Sequence, residues 1–196
     1  VALLVFAGLA VATFAVDAES RQVILWCGLL ALSLIYTHKL RIELTHPFSA
    51  LGRGAAAGLV ISLPVLLLFQ PELTVVSAQL LSSQTQPALF LSMVLVAPFV
   101  EEIFFRGLLQ RQHGLIAGSL SYGAFLVLFF LPGLIDFATV GLAMALTGAL
   151  LGLVYGYVNE RYGLTAGMAC HAVVNLMIFF LPVIIPEVSR WVGWGM

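Results

Sequence analysis

The sequence predicts an all-α fold, a polytopic transmembrane helix bundle of about seven spans. Of 196 residues, 62% are hydrophobic and only 9% charged, against about 25% charged in an average soluble domain. The mean hydropathy is +1.11. The eight basic and nine acidic residues fall at intervals, leaving uncharged stretches at 22–38, 54–71, 73–100, 112–135, 137–159 and 162–186. Several of these reach the ~20 residues that a bilayer-spanning helix needs. They are apolar throughout, whereas an outer-membrane barrel alternates apolar and polar residues in segments of about ten. Such a composition excludes a soluble enzyme, a nucleic-acid binder and a secreted disulfide scaffold. Cys27 and Cys170 both sit in apolar runs and read as small hydrophobes.

In chain order, spans are expected at 1–16, 22–38, 54–71, 87–110, 114–132, 137–159 and 163–185. Residues 1–86 form an N-terminal group with its outer connection, 87–185 a second bundle that holds the candidate chemistry, and 186–196 a tail. Trp191 and Trp194 in that tail suit a membrane interface. The polar stretch from Pro71 to Gln86 reads as the main outer connection, with a short surface helix. In the sixth span Gly148, Gly152 and Gly156 recur every four residues, a stripe that lets a neighbouring helix approach closely. Phe125, Phe129 and Phe130 read as side chains that fill the bundle or face lipid.

Orientation follows from basic residues, which are in excess in cytoplasmic loops. Lys39, Arg41 and Arg53 lie between spans 2 and 3, Arg111 between 4 and 5, and Arg161 between 6 and 7. The opposite connections hold Arg21 with Asp17, Glu19, Glu72 and Asp136. The expected location is the cytoplasmic membrane of a prokaryote, with the three basic loops inside. His38, His46 and His113 lie in or beside those loops and read as solvated.

Charges inside a span are costly, at least ~2.5–3.5 kcal/mol at the bilayer centre for Asp, Lys or Arg, and they mark functional candidates. Glu101, Glu102 and Arg106 fall within the fourth span, in VAPFVEEIFFRGLLQ. Four residues apart on a helix, Glu102 and Arg106 share a face and can pair. Glu101 points about 100° away, with no such partner in its own helix, and so is the carboxylate free to act as a base. Pro98, three residues earlier, should kink the helix and free a carbonyl. In the seventh span His171 and Asn175 share a face in the same way. His171 lies ten residues after Arg161 and Glu101 ten before Arg111. At ~1.5 Å per residue both sit about 15 Å deep, so opposed helices bring carboxylate, imidazole and amide to one level.

Glu101-Glu102-x-x-x-Arg106 followed by His171-x-x-x-Asn175, together with the run TGALLGLVYGYVNERYGLTAGMACHAVVN, resembles the CPBP family of intramembrane proteases. This family contains the type II CAAX prenyl protease and the bacteriocin-processing and self-immunity relatives. The similarity covers about Pro87 to Leu181. It implies that Glu101 is the catalytic base of a glutamate-type endopeptidase, that His171 and Asn175 stabilise the oxyanion, and that Glu102 and Arg106 support them. The implied partners are membrane lipids and a peptide or protein substrate, in some members lipidated, cut near the cytoplasmic face. In one place the sequence departs from the family pattern. A further F-x-x-x-H motif is expected in the fifth span, but SYGAFLVLFFLPG has Phe129 at the histidine position when anchored on Phe125, and Phe130 when anchored on Leu131-Pro132. Either His171 alone assists Glu101, or the chain is a catalytically silent binding protein of the same fold. A proton-coupled transporter using Glu101 and His171 is a third reading. No cofactor is expected: a catalytic zinc usually takes three protein ligands, and of Glu101, Glu102 and His171 the second is claimed by Arg106.

Overall fold

A computed structural model describes residues 1–37, 47–81, 85–135 and 138–185. The expectations for His38, Lys39, Arg41, His46, Asp136 and the tail with Trp191 and Trp194 lie outside the described residues. All regular structure among those described is helical: α1 (Ala2–Ala12), α2 (Ala18–Thr37), α3 (Pro47–Leu81), α4 (Gln86–Phe129), α5 (Leu131–Leu134), α6 (Ala138–Tyr162) and α7 (Leu164–Ile185). Five of these, α2, α3, α4, α6 and α7, are long and apolar enough to cross a membrane. Their outward faces are apolar and their shared interior holds the polar groups. Val60, Leu67, Leu68, Leu142 and Leu150 face outward, whereas Glu101, Glu102, Arg106, His171 and Asn175 are buried. The polar side chains thus find partners within the bundle, as lipid requires of them.

The 44-residue α4 is two passes joined at Gly114, whose backbone (φ 86°, ψ 170°) is in a region open essentially to glycine alone. Gly163 turns the chain from α6 into α7 with nearly the same angles (φ 89°, ψ 169°). Both turns lie at one end of the bundle, because the second leg of α4 runs antiparallel to α6: Gly156 meets Leu115, Gly152 meets Ser119, and Gly148 meets Gly123 and Leu126. The small-residue stripe therefore performs the packing expected of it. Arg53 joins the same end, its guanidinium 5.5 Å over the Tyr162 ring. Arg53, Arg111 and Arg161 accordingly gather at one pole.

Three features differ from the expected spans. The first span is a helix of only 11 residues, about 16 Å long against a hydrocarbon core of about 30 Å. The stretch after Pro71 is a helix with an exposed face, as expected, but it also packs back on the bundle. The backbone of α3 breaks at Phe69 (φ −125°, ψ 23°), and residues 70–81 fold back along α7, where the hydroxyls of Thr74 and Ser77 donate to the Pro182 and Ile178 carbonyls. Finally, Arg21 is not a loop charge. It is 2% exposed and donates to the carbonyls of Phe129, Leu128 and Ala10, closing the C-terminal end of α4 where orphan carbonyls favour a cation.

Candidate active site

Glu101 and Glu102 lie in a six-residue α-helical stretch (Ala97–Glu102) of α4 between two π-helical ones, Phe90–Val96 and Ile103–Gln110. A π segment pairs each N–H with the carbonyl five residues back, and such widenings are frequent at functional sites. Pro98 has no N–H to offer Met93, five residues earlier, and that carbonyl is filled instead by the Asn175 amide at 2.8 Å. Pro98 thus frees a carbonyl as expected. The helix accommodates it by widening rather than by a sharp kink.

On one side of α4, Glu102 is fully buried. Its Oε2 faces Arg106 Nε at 3.4 Å and its Oε1 meets His171 Nδ1 at 3.0 Å. Arg106 also donates to the Gly152 carbonyl at 3.1 Å, which α6 can present because its backbone approaches at that glycine. The guanidinium lies 4.9 Å over the Tyr122 ring, 5.6 Å over Tyr155 and 5.8 Å over Phe105. These contacts give a buried cation a carboxylate, a carbonyl and three π faces. Tyr155 also stacks on the His171 ring, with centroids 4.4 Å apart and planes 15° from parallel, fixing the imidazole's plane.

On the other side Glu101 takes different partners. Trp26 of α2 donates its indole N–H to Oε1 at 3.0 Å, and His171 Nε2 lies 3.7 Å from Oε2. The Tyr122 hydroxyl is 3.1 Å from the same imidazole nitrogen. Glu101, Tyr122 and Asn175 open onto a largely apolar cavity of about 260 Å³, walled by residues such as Leu73, Met144, Phe129 and Ile178. His171, at 0% exposure, stands behind them.

The structure therefore brings Glu101, Glu102, Arg106 and His171 into one cluster and anchors Asn175 beside it. Phe125, Phe129 and Phe130 are all buried, so they fill the bundle and do not face lipid. Phe129 packs on Trp26 at 5.2 Å between ring centroids and lines the cavity. His113 is exposed. Among the described residues, no group of three or more His, Cys, Asp or Glu could hold a metal ion.

Sequence reasoning missed Trp26, Tyr122 and Tyr155. A signal existed for the first two: a Trp or Tyr far from the membrane interfaces carries a polar tip that must find a partner inside the bundle. The cavity also has an unexpected position. Its walls come from residues 73–77, the start of α6, the end of α4's second leg and the far half of α7. It therefore lies on the side of Glu101 away from the basic pole.

Fold and site together define an integral membrane protein with a charged site enclosed by its spans. Residues 83–177 match the family described as Type II CAAX prenyl endopeptidase Rce1-like. This segment, just under half of the chain, contains both motifs and is similar to that family of proteases. No curated protein and no solved structure matches the chain.

Proposed function

We propose that the protein is an intramembrane endopeptidase of the glutamate type, cutting a peptide bond of a membrane-associated or lipidated peptide, with Glu101 as general base. One observation carries this reading: of two adjacent carboxylates, Glu102 is enclosed by Arg106 and His171, whereas Glu101 faces the cavity. A water held by Glu101 gives up a proton to it and attacks the peptide carbon. The amine that leaves then takes that proton back from Glu101. Asn175 and the His171 side of the cluster stand near the oxygen that gains charge.

The reaction is proposed to run without a metal. Glu102 is occupied on both oxygens, which leaves Glu101 and His171 Nε2 as two donors where a catalytic zinc takes three. With the basic pole inside, the cut is proposed about 15 Å deep, with the cavity lying on the side of Glu101 away from that pole.

A second reading, a silent binding protein, draws support from Phe129, which lines the cavity where the family pattern has a histidine. New protein termini in host membranes, read by mass spectrometry, separate the two. Termini that form with the wild type and disappear with Glu101→Gln and His171→Ala are the expected result. Identical profiles from all three at equal accumulation would overturn the peptidase reading in favour of the silent one.

A further inference from the structure

The His171 ring meets a carboxylate oxygen of Glu102 at Nδ1. A carboxylate only accepts, so Nδ1 carries a proton, and in the tautomer protonated there alone Nε2 keeps its lone pair. The group 3.1 Å from that lone pair is the Tyr122 hydroxyl, which therefore donates. His171 in this state has no N–H to offer a substrate. Asn175 already spends one amide hydrogen on Met93. Phe129 and Phe130, the two candidates for the family's second histidine, have no polar atom. Among these groups, the hydroxyl that lines the cavity with Glu101 and shares its neighbour, His171 Nε2, is that of Tyr122.

Resting on Glu101 as the base, we infer that Tyr122 is a catalytic residue that takes the place of the missing second histidine by donating a hydrogen bond to the substrate's carbonyl oxygen as it becomes an oxyanion. Both states of the cycle keep His171 Nε2 supplied with a donor. At rest Tyr122 provides it. When water adds, the water oxygen bonds to the peptide carbon, the C=O pair moves onto oxygen, and the released proton goes to Glu101 Oε2. The protonated Glu101, 3.7 Å from Nε2, now turns its O–H toward His171. The Tyr122 hydroxyl is freed to swing to the oxyanion by rotation about its own C–O bond, without moving the ring. On collapse the pair returns to carbon, the C–N bond breaks and the amine nitrogen takes the proton from Glu101. Tyr122 then points back at His171.

The test uses the full chain in phospholipid vesicles with a quenched fluorogenic peptide carrying an S-farnesyl cysteine fourth from its C terminus, and the same peptide with a phosphinate at the scissile bond as a tetrahedral anion. Tyr122→Phe keeps the ring, and with it the contacts to Arg106 and Phe105. The expected result is a fall in kcat of about 10²–10³-fold, the usual loss for an oxyanion donor, with KM within about twofold and phosphinate binding weakened by a comparable factor. An unchanged kcat in Tyr122→Phe beside an active wild type overturns the inference and leaves the peptidase reading standing. So does a loss of kcat without any loss of phosphinate binding. A wild type that neither cuts the peptide nor binds the phosphinate removes the peptidase reading, and the inference falls with it.

Discussion

The two sides of α4 at residues 101 and 102 carry the same side chain one position apart, yet do different things. On the Glu102 side the carboxylate is flanked by a guanidinium and an imidazole, and the guanidinium also donates to the Gly152 carbonyl. On the Glu101 side the donor is an indole, which carries no compensating positive charge, and one edge is open to the cavity. The contrast shows how two adjacent carboxylates on one helix acquire different surroundings when a cation four residues on shares the face of only one of them.

The sharpest way to break that contrast is to neutralise each glutamate in turn. Glu101→Gln is expected to lower hydrolysis by roughly 10²–10⁴-fold, the range for loss of a general base, while thermal stability in detergent stays close to the wild type. Retained hydrolysis in purified Glu101→Gln would leave the two carboxylates functionally indistinct.

Arg106→Ala should act on the fold instead. Removing one partner of a buried pair typically costs about 3–5 kcal/mol, because it strands the other charge. Poor accumulation and a lowered melting temperature are expected. Most of the loss should be recovered in the double variant Glu102→Gln/Arg106→Met, where the amide oxygen introduced by the first substitution can still accept from His171 Nδ1. Normal stability in the single variant would remove Arg106 from its anchoring role.

A smaller effect is expected from Trp26→Phe, which keeps the ring packing on Phe129 but deletes the N–H bound to Glu101 Oε1. A hydrogen bond to a charged group contributes about 1.5–3 kcal/mol to stability, so the melting temperature in detergent should fall measurably, by less than in Arg106→Ala. The smallest effect is at Asp17, an exposed carboxylate whose Oδ1 accepts from the Ser20 backbone N–H. That bond holds its pKa below the ordinary 3.8. Its stabilisation is therefore present above about pH 4 and lost as pH falls through the lowered value. Asp17→Ala should reduce the melting temperature slightly at pH 7, and the difference from wild type should vanish in strong acid.

What the sequence allowed to be read follows the range of the interactions. Glu102 with Arg106, and His171 with Asn175, are each four residues apart, so helical periodicity alone aligned them. Counting from Arg111 and Arg161 put the two pairs at one depth, and His171 Nε2 does lie 3.7 Å from Glu101. The partner of Trp26 was invisible because 75 residues separate it from Glu101, and nothing local says which face of α2 meets α4. Tyr122 was hidden among the aromatic residues of its pass, where hydrophobicity and not its hydroxyl dominates the pattern. The fold-back of residues 70–81 was masked for the reverse reason: its serine and glutamines read as solvent-facing, although Ser77 spends its hydroxyl on a carbonyl inside the bundle.

The donors that α2 sends into the rest of the chain have a consequence for how the molecule can be divided. Trp26 holds Glu101, and Arg21 closes the helix end at Leu128 and Phe129, yet both precede the segment 83–177 that carries the family motifs. A graft of that segment alone onto a foreign membrane scaffold would transplant the acids and the imidazole while leaving one carboxylate oxygen and two backbone carbonyls without hydrogen-bond donors. Inheritance and surgery alike have to treat the motif-bearing half and the second helix as one unit.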